Sequence, residues 1–120
     1  MEEPVGKVTI APGVLTTIVH QTTLDQAGVH HLVPVPPRVR GWFGATGVAN
    51  DGIFISVGED GVRVEVHVAA ESGINLLKLG EAIQDSIFRA IEEMIGMTVA
   101  AVDVYIDDVV LPALPTTQDS

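Results

Sequence analysis

The sequence predicts an α+β fold, a two-layer sandwich in which a mainly antiparallel sheet carries two helices packed on one face. Three observations predict it. Apolar residues recur at helical spacing from Leu76 to Ile95, and they alternate with a period of two from Ile53 to Val68. Hydrophobic residues make up 47% of the 120-residue chain but aromatic residues only 4%, so the core must be aliphatic. A helix and a sheet that each bury one face need a shared core, and two packed layers supply it.

The elements follow in chain order. Residues 1–5 form a tail expected to be disordered, and 6–111 form a single domain. Lys7 to Ile10 predicts a short strand leading into a helix over Gly13 to Gln26. Val14, Leu15, Ile18, Val19 and Thr22 share one stripe of that helix, Pro12 occupies its first turn and Gly28 ends it. Val29 to Val33 predicts another strand. From Pro34 to Gly52 the pattern fails: three prolines stiffen the segment, then Gly41, Gly44, Gly47 and Gly52 loosen it, which predicts a long loop. Ile53, Ile55 and Val57 then alternate with Phe54 and Ser56. Gly58-Glu59-Asp60-Gly61 supplies a turn, and Val62, Val64, Val66 and Val68 alternate with Arg63, Glu65 and His67, giving a β-hairpin with its valines toward the helices.

In the second helix the stripe is Leu76, Leu79, Ile83, Ile87, Ala90 and Met94, widened by Leu77, Ile91 and Ile95. Asn75 is placed to cap its start and Gly96 its end. Val99 to Ile106 predicts a last strand, with Val102, Val104 and Ile106 facing one way. Residues 112–120 form a flexible tail.

Composition narrows the function. The formal net charge is −10, and the six basic residues are mostly scattered, which disfavours nucleic acid and anionic membrane surfaces as partners. The chain has no cysteine, so disulfide frameworks, thiolate metal sites and cysteine nucleophiles are excluded. The acidic start is followed by no long apolar run, so neither a signal peptide nor direct membrane insertion is expected. The expected location is cytoplasmic, membrane-proximal only through a partner.

Several stretches read together: Gly6-Lys7-Val8-Thr9-Ile10-Ala11-Pro12 leading into Val14 and Ile18; Gly28-Val29; Val62 to Val68; Gly73-Ile74-Asn75; Gln84; Met94-Ile95-Gly96; and Val99 to Val104. In order and spacing they resemble the alkaline shock protein family, the general-stress and cell-envelope stress proteins of Gram-positive and related bacteria. The resemblance covers most of Gly6 to Val109. The chain departs from the pattern at Gly13, where a glutamate usually follows the proline, at Ile95, where threonine usually precedes the glycine, and in the loop after Pro34. The resemblance implies a non-enzymatic, stress-related scaffold that self-associates or docks onto a membrane-anchored partner, with no cofactor and no catalytic residue. The alternative is a small-ligand-binding module with the 34–52 loop as its lid.

The chemistry-bearing residues fit that expectation. His30 and His31 are strand neighbours, expected to point to opposite faces and so not to chelate one metal, with His20 and His67 distant in sequence. Asp103, Asp107 and Asp108 lack a glycine-turned calcium loop and are expected to be solubilising charges on a strand edge. Ser56, Ser72, Ser86 and Ser120 sit in no elbow or triad-like context, and the Gly41 to Gly47 run lacks a phosphate-binding fingerprint. No catalytic, cofactor or metal site is therefore expected. Arg38, Arg40, Trp42 and Phe43 are the one cluster of basic and aromatic residues, and we take them as candidate partner-binding residues.

Overall fold

A computed structural model describes residues 5–35 and 48–112 of the chain. Helix α1 (Pro12–Asp25) is followed by strands β1 (Val29–Leu32), β2 (Val48–Asn50), β3 (Ile53–Gly58) and β4 (Gly61–Glu71). Helix α2 (Leu76–Arg89) then runs into a π-helical turn, Ala90–Ile95, before strand β5 (Val99–Val110). The fold is α+β in two layers, with both helices over one face of a five-stranded sheet.

The centre of the sheet is β4. On one edge it pairs in parallel with β5 along its whole length, from Val62 opposite Val99 to Glu71 opposite Val110. On the other edge it has two antiparallel partners end to end. The first half of β4 pairs with β3, from Gly58 opposite Gly61 to Ile53 opposite Val66, and the second half with β1 through Val68, Ala69 and Ala70. Gly52 sits at the seam between them: its carbonyl accepts from the His67 amide at 2.8 Å, and its φ is +89°. A Cβ at Gly52 would lie 2.6 Å from the Val33 carbonyl oxygen, so only glycine fits where the two strands meet.

Alternation decides which side chains enter the core. Val62, Val64, Val66 and Val68 of β4 join Ile53 and Ile55 of β3 beneath Leu15 and Val19 of α1 and Leu79, Ile83, Ile87 and Ile91 of α2 and its π turn. The Asn75 side chain caps α2 by accepting from the Lys78 amide at 2.9 Å, and Gly96 closes the π turn in the left-handed conformation.

Five sequence expectations are corrected. Lys7 to Ile10 forms no strand in the chain as described: a strand exists by pairing, and no edge runs beside it there. The buried face of α1 is Leu15, Thr16, Val19 and Thr23, with Val14 exposed and Ile18 and Thr22 at the margin. Thr23 enters the core because its hydroxyl donates back to the Val19 carbonyl at 2.7 Å, leaving no polar group unpaired. In α2, Met94 and Leu77 are exposed, and Ile91, expected only to widen the stripe, is fully buried, because it continues the four-residue spacing of Ile83 and Ile87. The long loop ends early: β2 pairs with β3 across a two-residue turn, Asp51-Gly52, in which both residues have positive φ, as a type I′ hairpin requires. That ties residues 48–52 into the sheet and removes them from any lid. Finally, β5 runs past Ile106, the expected end of the last strand, to Val110; its pairing with β4 is the one parallel pairing described in a sheet that is mainly antiparallel, as expected.

Candidate functional site

The helix-free face of the sheet holds the densest cluster of polar side chains among the described residues. The same alternation that sends the β4 valines to the helices sends Glu65 and His67 to this face, yet both are buried, at 5% and 7% exposure. Phe54 of β3 stands opposite Glu65, and Asp103 and Tyr105 of β5 stand opposite Glu65 and His67. A β-bulge adds Asp107 to β5 between the residues opposite Val68 and Ala69, which brings its carboxylate back toward His67.

His67 is bracketed. Its Nε2 lies 2.6 Å from Glu65 Oε2 and its Nδ1 lies 2.7 Å from Asp107 Oδ2. Carboxylate oxygens accept hydrogen bonds, so an imidazole ring carrying a proton on each nitrogen suits both contacts. The Tyr105 ring stacks on the imidazole with centroids 4.7 Å apart and planes 9° apart, and Phe54 meets it edge-on at 5.8 Å. The carboxylates act on Tyr105 in turn: the Glu65 charge first, then burial, then Asp103 and Asp107 raise its phenol above the usual value near 10.

Both imidazole nitrogens are engaged by carboxylates. The bracket is a clamp joining β4 to β5. Sequence reasoning put His67 on the face opposite the valines but named no partner for it, and it read Asp107 as a solubilising edge charge. The signal for their pairing was the bulge, which no local pattern announces.

The other candidates are dispersed. His30 is an extra residue on a bulge in β1, so strict alternation fails there. The His30 and His31 rings turn together with their Nδ1 atoms 2.8 Å apart, against the expectation that they point to opposite faces. Among the described residues no group of three or more His, Cys, Asp or Glu could hold a metal ion. The Ser86 hydroxyl donates to Gln26 Oε1 at 3.0 Å and ties α2 to the end of α1. Asp103 and Asp108 are exposed on β5. Arg38, Arg40, Trp42 and Phe43 lie outside the described residues.

The second feature is the outer edge of β5. This twelve-residue strand pairs with β4 on one side, and among the described residues no strand pairs with its other side. Three side chains reach its backbone: Gln84 donates to the Val102 carbonyl at 3.0 Å, Glu92 accepts from the Val99 amide at 3.3 Å, and Asp108 accepts from the Val109 amide at 2.8 Å. Beside the edge, Leu76, Leu77, Gly80, Glu81, Gln84, Val104 and Ile106 line a groove of about 250 Å³ between α2 and β5. Leu77 is 73% exposed there. No helix among the described residues is long and apolar enough to cross a membrane.

Residues 1–111 match the alkaline shock protein 23 family, described as having a cell envelope-related function. No curated protein and no solved structure matches the chain.

Proposed function

We propose that this chain, which belongs to the alkaline shock protein 23 family with its cell envelope-related function, acts without catalysis, as a stress-related interaction protein that self-associates or docks onto a membrane-anchored partner. The observation that carries this reading is the outer edge of the twelve-residue β5, with which no other strand among the described residues pairs, and which the exposed side chains Leu77, Tyr105, Val109 and Leu111 flank. Such an edge is a template for another chain. The bracketing of His67 supports the non-catalytic side of the proposal, since the one buried imidazole spends both nitrogens on carboxylates. The Arg38, Arg40, Trp42 and Phe43 cluster is a second proposed contact, on its composition alone.

Sedimentation velocity over a hundredfold concentration range (about 1–100 µM, where micromolar affinities register) tests the reading. The expected result is a sedimentation coefficient that rises with concentration. A single monomeric species throughout would refute self-association.

A further inference from the structure

We propose that residues Gly6–Ala11 of one copy add as a strand to the outer edge of β5 in a second copy, seating Val8 and Ile10 in the groove between α2 and β5. This rests on the self-association just proposed and names the surfaces that perform it.

The donor is a strand sequence without a strand. Lys7-Val8-Thr9-Ile10 alternates polar and apolar residues, but in its own chain it joins no sheet, and Val8 is 92% exposed. Pro12 starts α1 directly after it. α1 packs on α2 and on β1, β2 and β3, the side of β4 away from β5, so the segment is carried on the far side of the sheet from the edge it would fill.

The acceptor matches in pattern, volume and charge. Val104 and Ile106 point from β5 into the groove, while Asp103 and Tyr105 point to the helix-free face. An added strand with Val8 and Ile10 on the groove side therefore places Lys7 and Thr9 on the side of Asp103. Among the described residues Asp103 has no basic partner. A chain of net charge −10 approaches its own copy more easily where a lysine meets an aspartate. The groove, at about 250 Å³, is smaller than the roughly 300–1,000 Å³ of small-molecule pockets, which suits side chains better than a ligand. Gly80 contributes to the opening: a Cβ built there would meet nothing closer than Ile106 Cδ1 at 4.0 Å.

The chain has no cysteine, so introduced cysteines report only on themselves. A Val8→Cys copy is mixed with a Val104→Cys copy, and separately with an Ile106→Cys copy, covering neighbouring registers and both strand directions. Exposed Glu59→Cys, at the tip of the β3–β4 turn, serves as the control partner. Under mild oxidation we expect a covalent heterodimer in at least one test mixture, about tenfold faster than with the control. A Val8→Asp, Ile10→Asp variant with an unchanged melting temperature should associate about a hundredfold more weakly, the loss expected for two buried aliphatic side chains. Cross-linking no faster than the control, in a parent protein that sediments as an oligomer, would overturn the strand exchange and leave self-association standing. A disulfide closing within single Val8→Cys, Val104→Cys chains at high dilution, with none between copies, would overturn the second copy as the occupant. A parent protein that is monomeric throughout would remove the reading beneath both.

Discussion

The two faces of β4 are buried to nearly the same degree by opposite means. Toward the helices, Val62, Val64, Val66 and Val68 are at most 1% exposed and belong to a cluster of buried aliphatic side chains. On the helix-free face, Glu65 and His67 are 5% and 7% exposed and touch carboxylate, imidazole and aromatic rings. Burial on the first face is favourable for every atom that leaves water. On the second it is tolerable only because each buried polar group has a partner. The first face should therefore resist change in proportion to lost volume, and the second in proportion to lost pairing.

The largest expected effect breaks the covered face. Ile87 is fully buried in the aliphatic cluster, and Ile87→Ala should cost about 4 kcal/mol in urea-unfolding free energy. A loss below about 1 kcal/mol would mean that the cluster collapses around the gap and that the covered face does not respond to lost volume.

The next separates the faces by mechanism. His67→Phe keeps the ring but leaves two carboxylates without their partner, and should cost about 3 kcal/mol. Adding Glu65→Leu should restore most of that loss, because an apolar pair replaces a half-paired ionic one. If the single variant is as stable as the parent, the bracket contributes nothing net and the comparison fails.

A smaller effect tests whether α2 depends on its cap as well as on the sheet beneath it. Asn75→Ala removes the acceptor for the Lys78 amide and should cost about 1 kcal/mol, read as a lower melting temperature.

The smallest is a titration. Tyr105 is the sole tyrosine, so ultraviolet absorbance follows its ionisation directly. With its phenol raised by Glu65, burial, Asp103 and Asp107, the midpoint should lie above 10 and fall toward 10 in the Glu65→Gln variant. The folded state then holds its proton more tightly than the unfolded chain does. This contribution to stability is intact below pH 10 and lost as pH rises through the folded-state midpoint.

The contrast also explains what was legible beforehand. The valine face of β4, the aliphatic stripe of α2 and its Asn75 and Gly96 caps are periodic or positional signals, and hydrophobic pattern exposed them. The His67 bracket depends on a bulge at Asp107 and on a parallel neighbour 40 residues away, and nothing local encodes either. The Asp51-Gly52 turn was encoded locally, as a hairpin dipeptide between Val48-Ala49-Asn50 and Ile53, but the glycines before it hid so short a strand. The threonines of α1 misled because their hydroxyls look polar in sequence and are silenced by the helix's own carbonyls.

The seam at Gly52 has a consequence for kinetics. β4 is paired along both edges for most of its length, and β3 only over the three residues where β2 joins it, so the β4 amides should exchange with solvent last, with protection thinning toward β2 and β5. Assembly around it is staged by sequence distance. β2, β3 and β4 are contiguous hairpins that close short loops, whereas β1 and β5 must be gathered from either side of them. The intermediate order this implies is a three-stranded meander to which β1 and then α2 with β5 are added. A Gly52→Ala lesion should then act on both stages, because its positive φ closes the β2–β3 turn of the meander and its added Cβ would meet the Val33 carbonyl where β1 joins.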